Sequence, residues 1–173
     1  LAGRLQLPDA LVDHIESTHH AYLHAELPRL SELTARVVGA HGERHLELFT
    51  VQHAFEAVRA DLEPHLAKEE RVLFPMIREL GAATEAPAFH CGSLRNPISV
   101  MLREHDAAGE LLAHLHTVTG GYRVPQDGCA SYRALYEGYA QLEADTHLHI
   151  HKENDLLFPA VVALEGSSGG AGR

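Results

Sequence analysis

Two segments of this chain, HLAKEERVLFPMI from residue 65 and HIHKENDLLFPAV from residue 149, place a histidine four residues before a glutamate in matching surroundings. They agree at His65/His149, Lys68/Lys152, Glu69/Glu153, Leu73/Leu157, Phe74/Phe158 and Pro75/Pro159. On a helix, side chains four apart share a face about one turn from each other, so each pair directs an imidazole and a carboxylate the same way. Those are donor groups for a metal ion. Leu62, Leu66, Val72 and Leu73 around the first pair, and Leu142, Ile150, Leu156 and Leu157 around the second, are spaced to turn both pairs inward.

A single HxxxE step is an ordinary surface pair; its repetition in the same LFP context carries the weight. The repeat also extends upstream. His20 and His105 lie 85 residues apart, against 84 for His65 and His149, so one histidine followed 44 or 45 residues later by HxxxE occurs twice. His14, His19 and His24 crowd the first position, and the repeat offset selects His20. The candidate metal set is therefore His20, His65, Glu69, His105, His149 and Glu153. Buried carboxylates are costly unless paired or bound to a cation, and no Lys or Arg stands on these faces. Two divalent ions bridged by both glutamates would let six side chains serve two metals. The set lacks thiolates and exceeds what one tetrahedral zinc requires. Imidazole with carboxylate suits iron, with manganese as a chemical competitor. His41, His45, His53, His90, His114, His116, His147 and His151 read as surface or supporting residues, and Glu70 and Glu104 as solvated helix residues.

Positioning such a set is work for helices. Apolar residues recur at three- and four-residue intervals in long segments between short breakers, and strand signals are almost absent. The pattern predicts an all-α fold with helices over residues 8–38, 43–80, 97–118 and from 125 or 127 to 164. Connections this short suit an up-down-up-down antiparallel four-helix bundle. Pro28, Pro64, Pro75 and Pro159 fall inside these helices, where each should kink or end its helix. Residues 1–164 are expected to form one domain, with 165–173 (EGSSGGAGR) a flexible tail.

Composition narrows the function classes. No apolar run approaches the roughly 20 residues of a membrane span. A formal charge of −10, with 14 basic residues scattered among 24 acids, argues against nucleic acid. Cys91 and Cys129 are too few for a disulfide framework. A soluble cytoplasmic protein, monomer or homodimer, without membrane or nucleic-acid partners, is expected. The chain begins at Leu1 rather than Met.

With these residues in place, the chain resembles the hemerythrin-like (HHE) di-iron domains, whose pattern is a histidine followed by HxxxE, twice. More closely, HLAKEERVLFPMI, NPISVMLREHDAAGELL, YRVPQDGCASYRALY and HIHKENDLLFP look like the bacterial RIC proteins, which repair iron–sulfur clusters. The resemblance runs from about His20 to Leu164. It implies a hemerythrin-like bundle around two non-haem iron ions with an oxo- or hydroxo-type bridge, held by the six residues above with Glu69 and Glu153 bridging. Oxygen-carrying hemerythrins are less similar: they place a further histidine where Gly109 stands and an aspartate where Glu153 stands, so more iron coordination is open here. RIC proteins also carry a small amino-terminal domain with a cysteine pair. Nothing before His14 resembles it.

What the resemblance implies first is repair of clusters damaged by oxidative or nitrosative stress, by iron donation to iron–sulfur client proteins. Reversible binding of oxygen or nitric oxide is a second class. A di-iron enzyme acting on nitric oxide or peroxide, reductase-like or catalase-like, is a third, because one fold supports several chemistries.

Overall fold

The computed structural model describes residues 7–168. Helix α1 (residues 7–41) joins Leu7–Ile15 to Ala21–His41 through a π-helical turn, Glu16–His20. Helix α2 (residues 47–82) joins Glu47–Lys68 to Phe74–Ala82 through the π turn Glu69–Leu73. Helix α3, Arg95–Val118, is regular. Helix α4 (residues 130–168) joins Ala130–His151 to Phe158–Ser168 through the π turn Lys152–Leu157. Each helix packs on its neighbours in sequence, α1 also packs on α4, and the start of α1 meets the ends of both α2 and α4. This is the antiparallel four-helix bundle that the spacing predicts.

The boundaries differ from expectation where side chains cap or break the chain. Helix α4 starts at Ala130 rather than near Pro125, because Pro125–Gly128 closes a turn (Gly128 N to Pro125 O, 2.9 Å). Its far end continues past Leu164 to Ser168, so residues 165–168, expected in the tail, are helical. Glu165 is held there by the Leu94 amide at 2.9 Å and by the Ser93 hydroxyl. Residues 169–173 lie outside the described residues.

None of the four prolines ends a helix. Pro28 and Pro64 lie within uninterrupted α-helix, and Pro75 and Pro159 are the second residues after π turns. All four rings are exposed, so the carbonyls they leave without a donor face water. The π turns themselves are defined by Phe74 N–H bonding Glu69 O and Phe158 N–H bonding Glu153 O, five residues back. One extra residue per turn rotates the following side chains. Val72 and Leu156, repeat-equivalent and expected to face inward, are accordingly exposed.

The core is split in two. One apolar cluster, including Leu23, Leu27, Phe55, Leu62, Leu66, Leu112, Tyr139 and Leu142, fills one end of the bundle. A second, including Val12, Ile15, Leu73, Phe74, Met101, Leu157 and Phe158, fills the other. Between them the sequence supplies a buried polar layer: His19, His20, His65, Glu69, His105, His149 and Glu153. Among the described residues no helix is long and apolar enough to cross a membrane.

Candidate metal centre

Each helix contributes to this layer from the boundary between its two apolar stretches. His20 closes the π turn of α1; His65 and Glu69 straddle the entry to that of α2; His149 and Glu153 do the same on α4; His105 sits one turn beyond Met101 on α3. The π turns let carboxylate and imidazole on one helix aim at a common point while the apolar residues on either side stay in register with the core. All six residues singled out from the sequence come together.

The distances define two sets. His20, His149, Glu69 and Glu153 each offer a donor atom within 4.8 Å of the others, and so do His65, His105, Glu69 and Glu153. Both glutamates belong to both sets. Glu69 Oε2 lies 3.1 Å from His20 Nε2 and Glu69 Oε1 lies 3.2 Å from His65 Nε2; Glu153 Oε1 and Oε2 each lie 2.9 Å from an Nε2, of His149 and His105 respectively. Several of these atoms are buried yet lack a well-aligned hydrogen bond: His20 Nε2, both Glu69 oxygens and Glu153 Oε2. Converging, buried, unpartnered nitrogen and oxygen atoms without a thiolate among them suit a hard or borderline cation.

Residues not chosen from the sequence orient the imidazoles. Glu70 Oε1 accepts from His20 Nδ1 at 2.9 Å and from His24 Nε2 at 2.6 Å. Glu104 Oε2 accepts from His65 Nδ1 at 2.9 Å and is itself held by Lys68. Asn154 Oδ1 accepts from His105 Nδ1 at 2.7 Å. Reading Glu70 and Glu104 as solvated is thus corrected: both are only part-exposed and reach across to a neighbouring helix. A signal existed, since each stands one residue from a motif residue and therefore about 100° around the helix from it. His19, passed over in favour of His20, is also buried, stacked on His149.

Burial works against charge on Glu69, but the close imidazoles of His105, His20 and His65 outweigh it and hold the carboxyl well below its ordinary value. Burial likewise opposes the imidazolium at His105, yet Glu153 and Glu69 push it up to about 10. His20 and His65 are raised for the same reason. Imidazoliums here occupy the electrostatic role of a metal cation.

A family model, "Hemerythrin HHE cation binding domain", matches residues 11–161, a span that includes all six residues. The chain belongs to the hemerythrin HHE family. Among relatives of this HHE domain, "Probable iron-sulfur cluster repair protein" of Haemophilus influenzae is 37% identical over 152 residues, covering 88% of this chain and 64% of the relative. "Iron-sulfur cluster repair protein YtfE" of Dickeya chrysanthemi is 36% identical over 149 residues, covering 86% and 63%. The YtfE of Escherichia coli O157:H7 is 34% identical over 155 residues, covering 90% and 66%. The HHE chain thus spans about two thirds of the length of the relatives it matches.

Proposed function

We propose that this HHE domain holds two iron ions, one by His20 and His149, the other by His65 and His105, with Glu69 and Glu153 bridging, and that it donates iron to damaged iron–sulfur clusters. The observation that carries the two-ion reading is the sharing of both glutamates between two four-residue sets. The repair reading rests on the similarity to proteins bearing that name. Iron bound at these residues supplies redox chemistry and the metal that a damaged cluster lacks. The chain's own part is to bind, orient and release. Glu69 and Glu153 offset the ionic charge, Glu70, Glu104 and Asn154 hold three imidazoles with Nε2 toward the ions, and the two apolar clusters keep bulk water away.

The test mixes ferrous-loaded protein with an apo iron–sulfur protein and sulfide and follows cluster formation, with Glu153→Leu protein and free ferrous iron as controls. Transfer faster than loss to a strong chelator supports donation. Transfer no faster than that reduces the protein to a passive source. A stable oxygen or nitric oxide adduct without transfer points to a carrier or sensor, and multiple turnover of peroxide or nitric oxide to an enzyme.

A further inference from the structure

The two halves of the bundle superpose in sequence at the centre: Asp61 with Asp145, His65 with His149, Lys68 with Lys152, Glu69 with Glu153, Glu70 with Asn154, and Glu104 with His19. The last pair breaks the symmetry. In one half Lys68 and His65 Nδ1 both bond Glu104. In the other, Lys152 Nζ lies 2.8 Å from His19 Nε2, and His19 spends its Nδ1 on Asp145 Oδ1 at 2.9 Å. The His19 ring lies flat against His149, with centroids 5.3 Å apart and planes 8° off parallel. A ring stacked face-on accepts nothing from its neighbour's edge. Among the described residues, His149 Nδ1 is left buried and without a partner.

His149 therefore differs from the other three imidazoles. Acceptors lie behind His20, His65 and His105 at Nδ1, so each of these rings keeps a hydrogen-bonded Nδ1–H when Nε2 serves as a ligand. His149 Nε2 meets Glu153 Oε1 at 2.9 Å just as His105 Nε2 meets Glu153 Oε2 at 2.9 Å, so the difference lies at Nδ1. Bound to a metal through Nε2, His149 would bury an Nδ1–H that faces the stacked His19 ring and has no acceptor.

We propose that the two metal positions are unequal, and that the ion held by His20 and His149 is released first because the residue at 19 offers His149 no acceptor. This rests on the two-ion reading above. Both sets contain two imidazoles and the same two carboxylates, so the difference lies in what stands behind His149. His19 is a positioning residue that makes one position exchangeable.

Anaerobic ferrous-loaded protein mixed with excess chromogenic chelator should lose iron in two phases of one equivalent each. Partners behind metal-bound imidazoles are worth about 10–100-fold in affinity, so the phases should differ about ten-fold or more. His19→Glu rebuilds the Lys–Glu–His order seen at Lys68, Glu104 and His65, beside an aspartate as in that half, and should slow the fast phase toward the slow one. Glu104→Ala should speed the slow phase. His149→Ala should keep one slowly released equivalent, and this result stands even if the His19→Glu protein does not fold. Two equivalents leaving in a single phase, or a fast phase that survives His149→Ala and disappears in His65→Ala, overturns the proposal while leaving two ions. A starting content of one equivalent overturns the two-ion reading and this inference with it.

Discussion

The Nε2 atoms of His65 and His105 face each other across 3.1 Å. Glu104 and Asn154 hold the Nδ1 protons of these rings, so in their neutral forms both Nε2 atoms present lone pairs to one gap. Two lone pairs at that separation repel unless a cation stands between them. A proton serves in the metal-free chain, and a metal would satisfy both rings together with Glu69 and Glu153.

Sharing of the glutamates makes their loss different in kind from loss of a histidine. Glu69→Ala or Glu153→Ala should remove a donor from both sets and bring iron content from about two per chain to below one. His65→Ala should leave the His20/His149 set complete and about one ion in place. Elemental analysis after anaerobic desalting checks this; equal content in glutamate and histidine variants would remove the bridging assignment.

The register of α1 is open to the same measurement. His20→Ala should lower iron content, whereas His14→Ala should leave it unchanged, since the His14 ring is exposed and contacts Lys152. His24→Ala should also retain both ions, because Glu70 still accepts from His20 without it. Loss of iron in His24→Ala with retention in His20→Ala would move the ligand by one turn.

Metal-free and loaded protein should respond oppositely to pH. The folded His105 value, about 10, lies above its ordinary 6.5, so its contribution to the metal-free fold is complete below 6.5 and is lost as pH rises through about 10. Glu69 is held below its ordinary 4.5, so its contribution is present above that value and is lost on acidification. Metal-free protein should thus be most stable between these limits and weaken toward alkaline pH. Loaded protein gains as protons cease to compete for Nε2, and sheds metal below about pH 6. The gap between the two melting temperatures should widen from pH 6 to pH 9, measured by calorimetry with and without chelator. Coincident melting throughout would break the link between metal and fold.

A core change away from the centre should alter stability alone. Thr34 Oγ1 donates to Leu30 O at 2.6 Å, so the fully buried Tyr139 hydroxyl must be the donor to Thr34 across 2.6 Å. Tyr139→Phe removes that donor and should cost about 1 kcal/mol, with iron content unchanged. Urea denaturation of the loaded protein gives the first quantity and elemental analysis the second.

The HxxxE steps and their repetition determine the six candidate residues and the bundle, because four residues along a helix return a side chain to the same face whatever surrounds it. Local geometry is written in local sequence. What stands behind each imidazole is not, since Glu70, Glu104, Asn154 and His19 meet their partners across helix interfaces, and the rotation of one helix against another is fixed only when both apolar clusters close. The π turns belong to the same class: an extra residue per turn is tolerated where converging donors and flanking core both have to be satisfied, and Pro75 and Pro159 stand just past two of them without producing the breaks their residue type suggests. The sequence repeats the centre twice; tertiary packing decides that the two copies, at Glu104 and His19, are unlike.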